Sequence, residues 1–346
     1  MVGFGSRAGD LRDIQRRFFS LPTLVSLALA GAFLAFVITR FDVDLGDTWD
    51  QVKGSNIWLL AAAVAVHYTT FIFRGARWRL LLQNTQERGA PLPGVLYCSQ
   101  LVLLGWFVNA VAWLRLGDAY RAYVYREEQD ASFSRTIGTI LAERILDGVM
   151  VLVLVVLAVP FLVRSGGGAA WTVLGVAGVA VALLAGVVAV MVWARERALS
   201  KLPNWMAERY SRFHQGTLGS FQRIAPVTLL GLLAWMAEVA RLYLVVKALD
   251  LDLGFSLVIV LAMANSLLSL VPTPGGFGAV ESGVAGLAVR LSRLSSSVAL
   301  ALVLVDRAIT YLSIIIVGAL VFLGRQVMRR SRAVERAVGS GRVEEL

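Results

Sequence analysis

Apolar runs at about 21–39, 57–73, 94–114, 136–163, 169–193, 226–246, 255–271, 276–291 and 298–324 occupy most of this 346-residue chain. Several reach the roughly 20 residues that a helix needs to cross a bilayer, and 58% of all residues are hydrophobic. The chain reads as an all-α polytopic membrane protein. The sequence "ALA" at 28–30 resembles a signal-peptide cleavage site, but the apolar run continues past it, so an uncleaved first span is expected.

Charge then limits how many runs can be crossings. The net charge is +10, and of 33 basic residues only Lys53, Lys201 and Lys247 are not arginine. They sit mainly in the polar gaps beside apolar runs, where they act as orientation signals and lipid phosphate contacts, so nucleic acid is not an expected partner. If every run crossed, the segment 115–135 with its four arginines would face outward, against the excess of basic residues on the cytoplasmic side. The charges sort if 94–126 and 255–291 enter and leave on one side as re-entrant hairpins. About six full spans then remain, both termini are cytoplasmic, and the acidic loop 40–56 and the Gly-rich loop 164–168 face outward. The loop 194–223 and the basic tail 325–346 lie inside, as do the N-terminal segment 1–21 and the arginines of 74–79, which snorkel beside the interfacial Trp78. Cys98 is the only cysteine, and the only histidines are His67 and His214, so neither a disulfide nor a metal site is expected. His67, near mid-depth in its run, is either a packing side chain or a member of a proton relay.

Within the membrane domain 22–324, a first repeat (about 57–163) answers a second (about 226–324). Asn109 corresponds to Asn265, Asp118 approximately to Glu281, and Glu143-Arg144 to Asp306-Arg307. With the proposed topology the two halves are inverted, an arrangement that places substrate sites at discontinuous helices.

The strings "FRGARWRLLL" (73–82), "RLGDAYRAYVYR" (115–126), "ILAERILDGVMVLVL" (140–154) and "PTPGGFGAVES" (272–282) together resemble the motifs of the lysylphosphatidylglycerol synthase transmembrane family, over about residues 20–325. The resemblance implies a multi-spanning, flippase-like protein of a bacterial or archaeal cytoplasmic membrane that moves lipids or lipid-linked headgroups between leaflets. Only a short polar segment follows the last run, so the soluble aminoacyltransferase domain of some relatives is not expected. Leu-Arg-Leu at 114–116 replaces the Pro-Gly type of bend common in relatives, Asp118 stands where Glu is commoner, and Asp306 stands where an uncharged residue is commoner.

Carboxylates deep in a bilayer must be paired or hydrated. Glu143, with Asp147 one turn on, lies roughly 13 Å into its run at 1.5 Å per residue, near the middle of a core about 30 Å thick. Glu238 with Arg241, and Asp306 with Arg307, are further internal sets. Each set either carries transport or merely neutralises itself. Pro272 and Pro274 end the helical arm at Val271, Gly275, Gly276 and Gly278 permit positive φ, and a new helix starts near Gly278 or Ala279 with Glu281 in its first turn. That N-terminus either holds a phosphate or is capped by Glu281. Arg115 and Arg121, folded back by the hairpin, are candidate phosphate ligands. The candidate transport residues are thus Arg115, Asp118, Arg121, Glu143, Arg144, Asp147, Glu238, Arg241, Asn265, Pro274, Gly275, Gly276, Gly278, Glu281, Asp306 and Arg307.

The expected function is movement of an anionic phospholipid or lipid-linked precursor, with no enzymatic step and no cofactor. No nucleotide-binding P-loop is present, so an ion gradient, the membrane potential or the lipid gradient would drive it. The alternatives are a membrane transferase acting on polyprenyl-phosphate or phospholipid, and a scaffold. A second copy of the chain or an envelope-biosynthesis enzyme is a candidate partner.

Overall fold

The computed structural model describes residues 45–85, 92–112, 116–164, 203–271, 273–292 and 294–339, with scattered positions between 175 and 193. The run 21–39, most of 169–193, Arg115 and Pro272 lie outside the described residues. The described residues form helices and turns without strands. The helices are α1 (Leu45–Lys53), α2 (Ile57–Thr85), α3 (Val95–Val111), α4 (Gly117–Gln129), α5 (Phe133–Arg164), α6 (Asn204–Gly219), α7 (Ile224–Ala248), α8 (Phe255–Leu268), α9 (Ala279–Leu291), α10 (Ser296–Arg307) and α11 (Ser313–Gly339).

By length and apolar composition, three described segments can cross a membrane: Ile57–Thr85, Ile224–Ala248 and Ser296–Met328. The shorter apolar helices are Val95–Val111 and Phe255–Leu268, the first arms of the two expected hairpins. The pair α2 and α7 forms the centre of the bundle, pinned where the Asn56 N–H donates to the Ala248 carbonyl (2.8 Å). Asn56 also caps α2, its Oδ1 accepting from the N–H groups of Trp58 (3.0 Å) and Leu59 (3.3 Å). One apolar core unites α5, α7, α8, α9 and α10; a second unites α2, α3 and α4 with Ile314 of α11.

The first hairpin closes between Gly105 and Gly117. A Cβ on Gly117 would come within 2.7 Å of the Gly105 carbonyl carbon, so only glycine lets α3 and α4 approach this closely. The Asn109 side chain secures the turn by accepting from the Gly117 N–H (2.8 Å). In the second hairpin α8 ends at Leu268, three residues before the expected stop, and a 3-10 turn follows at Pro274–Gly276. Gly275, Gly276 and Gly278 all have positive φ, and α9 begins at Ala279.

Four sequence readings require correction. Residues 45–53 of the expected acidic loop are helical, and residues 204–219 of the expected cytoplasmic loop form α6, which packs along α5. The last helix continues through the expected polar tail to Gly339. Arg325 there turns back to bond Glu128 (2.7 Å) on α4 and Gln100 (3.1 Å) on α3. Lastly, α2 does not stop at Phe73, and Arg74, Arg77 and Trp78 are not interfacial anchors. Arg77 and Trp78 are fully buried, because carboxylates and Thr139 inside the bundle supply the partners that an interface would otherwise provide.

Candidate functional site

The buried face of α2 places Arg74 and Arg77 one turn apart, opposite the Glu143 and Asp147 face of α5. Arg77 donates to Asp147 (2.7 and 3.2 Å) and to Glu143 (3.1 Å). The second oxygen of Glu143 accepts from Arg121 of α4 (2.8 Å), whose guanidinium lies 4.5 Å from the Trp78 ring centroid. Trp235 of α7 also donates to Asp147 (3.2 Å). Arg74 lies between the Trp106 and Trp235 rings, 5.1 and 5.2 Å from their centroids, and approaches Asp147 (3.8 Å) and Glu238 (3.6 Å). Glu238 accepts from Arg241 (3.2 Å), which is paired with Asp306 of α10, and Asp306 receives the Asn265 amide at 3.4 Å. What the sequence presented as separate sets is one chain of ion pairs crossing from α4 to α10.

Arg144 sits on the outer side of this chain. It binds Asp118 through two contacts (3.1 and 3.2 Å) and approaches Asp147 at 3.4 Å and Glu143 at 4.0 Å. Glu143 is held by Arg77 and Arg121, and Arg144 is held chiefly by Asp118. Arg74, Arg77, Arg121, Arg144 and Arg241 face Asp118, Glu143, Asp147, Glu238 and Asp306, so the charges balance. Arg121, a candidate phosphate ligand, is 1% exposed and paired with Glu143. The Arg144 and Asp118 side chains, 26% and 30% exposed, form the accessible end of the network.

The second hairpin supplies a matching cluster. The Gly278 N–H donates to one oxygen of Glu281 (2.5 Å), and Arg307 donates to the other (2.7 Å) and to the Gly275 carbonyl (3.0 Å). The helix N-terminus is thus capped from within. A π-helical turn, Ala308–Leu312, follows Arg307 and places Tyr311 beneath its guanidinium, 4.6 Å away, with the hydroxyl donating to the Ala110 carbonyl (3.0 Å). The ends of both hairpins meet at this tyrosine. Pro274 contributes the start of the 3-10 turn. Thr310 donates to the Asp306 backbone carbonyl (2.9 Å).

Ion pairs recur at matching separations in the two halves. Asp118 and Arg144 are 26 residues apart, as are Glu281 and Arg307. Arg77 and Glu143 are 66 apart, Arg241 and Asp306 65. The sequence comparison anticipated the first match; the second depends on Arg77, which it missed. His67 is fully buried among Tyr68, Phe71 and Trp106, and neither ring nitrogen has a hydrogen-bond partner among the described residues.

Exposure predicts how the arginines tolerate loss. Arg144→Gln, at the partly exposed end, is expected to lower stability less than Arg121→Ala, which strips a partner from buried Glu143. Thermal unfolding of the detergent-solubilised variants measures the difference.

The family described as "Lysylphosphatidylglycerol synthase TM region" matches residues 23–318. A UPF0104 membrane protein of Methanocaldococcus jannaschii is 25% identical, covering 62% of this chain and 93% of that protein. A UPF0104 membrane protein of Methanothermobacter thermautotrophicus is 24% identical over 76% of this chain and 82% of its own length. The Haloferax volcanii protein named glycosyltransferase AglD is 23% identical over 90% of this chain, which spans 56% of that protein.

Proposed function

The chain belongs to the lysylphosphatidylglycerol synthase transmembrane family, and on that premise we propose that it moves an anionic phospholipid or lipid-linked precursor between the leaflets of a cytoplasmic membrane without catalysing a reaction. The observation that carries this reading is the position of the Arg144–Asp118 pair, partly exposed at the edge of a network whose other members are buried. A lipid phosphate that replaces Asp118 on Arg144 exchanges one anion for another. The buried chain behind it then keeps its charge balance, while the displaced Asp118, 30% exposed, must turn to water or take up a proton.

The recurring ion pairs and the meeting of both hairpins at Tyr311 support an inverted-repeat reading with six spans and two re-entrant hairpins. That topology predicts that a cysteine at exposed Gln129, introduced beside Cys98→Ser, is labelled by a membrane-impermeant thiol reagent only after the cells are opened. Labelling in intact cells contradicts it.

The relative named as a glycosyltransferase supports a second reading, transfer to a lipid-phosphate acceptor. Asp118 is the most accessible carboxylate of the network for such a role. Translocation of labelled lipid in proteoliposomes with no acceptor present separates the two, because a transferase leaves the lipid in its original leaflet.

A further inference from the structure

Beyond the ion network, a cavity of about 680 Å3 lies where the start of α5 meets α6. Its wall carries Arg126, Arg135, Arg209 and Arg212 against a single carboxylate, Asp130. Arg212 is engaged by Glu208 of its own helix. Arg126 and Arg209 have no carboxylate partner among the described residues, and Arg209 lies over the Trp205 ring, 5.1 Å from its centroid. Ser132 and Thr136 add hydroxyls to the same wall. Such a chamber, with several planar donors and little opposing charge, suits a group that carries more than one negative charge.

A second cavity, of about 410 Å3, shares Phe133, Ser134 and Arg209 with the first. Its remaining walls are mainly apolar, formed by Ile137, Trp205, Met206 and Phe213, and Trp205 is 58% exposed. A basic chamber adjoining an apolar groove complements a molecule with an anionic head and a hydrocarbon tail. We propose that the α5–α6 junction binds a phosphorylated amphiphile, with its terminal phosphate or diphosphate between Arg126 and Arg209 and its chain along Phe133, Trp205 and Phe213. Thr139 links the chamber to the ion network, since it lines the cavity and accepts the Trp78 indole N–H (3.2 Å). The inference adds a headgroup class to the transport reading, but its test reads binding alone, so either can fail without the other.

The test measures equilibrium binding to the full chain in neutral phosphatidylcholine nanodiscs. Farnesyl diphosphate is the probe, and farnesol and inorganic pyrophosphate represent its two halves. Farnesyl diphosphate is expected to bind at least about tenfold more tightly than either half, and Arg126→Gln with Arg209→Gln to weaken it by about tenfold or more, the loss of one or two charge-assisted hydrogen bonds. Asp130→Asn removes the opposing carboxylate while keeping a side chain suited to that position's positive φ, so it should tighten binding, a gain that misfolding does not produce. Pyrophosphate binding as tightly as farnesyl diphosphate would overturn the amphiphile assignment. Unchanged affinity in both the double variant and Asp130→Asn would overturn the site.

Discussion

Arg77→Ala is expected to remove about 3–5 kcal/mol of folding stability, the usual consequence of stripping the partner from a buried charge. Arg77 is fully buried and is the link between Glu143 and Asp147; without it Glu143 depends on Arg121 and Asp147 on the longer contacts from Arg74 and Arg144. A loss of that size is a large part of the stability of an ordinary domain, about 5–15 kcal/mol, so the variant should unfold at a markedly lower temperature than the wild type. Arg77→Met combined with Asp147→Asn should recover more than half of the loss, since the charges leave together and Asn still accepts from Trp235. Detergent-phase thermal unfolding reads both variants. A single variant as stable as the wild type would mean that the network is hydrated rather than buried.

Gly276→Val is expected to abolish lipid movement and to damage the protein more than Glu281→Gln. Gly276 has φ of 69°, a conformation that valine rarely adopts, and a Cβ there would lie 2.5 Å from the Ser269 Cα and 3.2 Å from Val280 Cγ2. The clash is with backbone, so the turn between α8 and α9 must move and carry with it the Gly275 carbonyl that holds Arg307. Gln at 281 still accepts from the Gly278 N–H, and Arg307 keeps Gly275 and Tyr311. Initial translocation rates at matched protein levels and several pH values rank the two variants. A slower Gln variant that has also lost the pH dependence of the wild type would make Glu281 a titrating group instead of a structural cap.

The second hairpin was the most legible part of the chain, because its geometry is dictated locally. Three glycines needing positive φ and a glutamate three residues after Gly278 determine the turn, the helix start and the cap without reference to distant residues. The acidic members of the network were also legible, since a carboxylate in a long apolar run has few tolerable fates. Their partners were not. Glu143 is satisfied from positions 66 and 22 residues away, and those distances become contacts only through packing. Arg74 and Arg77 were missed because hydropathy ends a span at the first arginines, whereas these two lie on the face that His67 and Phe71 already direct inward. Their spacing of three residues was the available signal. The π turn after Arg307 has no sequence signature of its own, and α6 was read as a loop because its arginines outweighed its Trp, Met, Tyr and Phe residues.

The most direct test of lipid movement through this network is the initial rate at which a labelled anionic phospholipid reaches the opposite leaflet of proteoliposomes, read by a membrane-impermeant quencher with no acceptor present. The wild type is expected to exceed protein-free vesicles, while Arg144→Gln, folded and equally abundant, falls at least about tenfold, as loss of a charge-assisted contact to phosphate requires. Protein-free rates for the wild type, or wild-type rates for Arg144→Gln, would contradict the account.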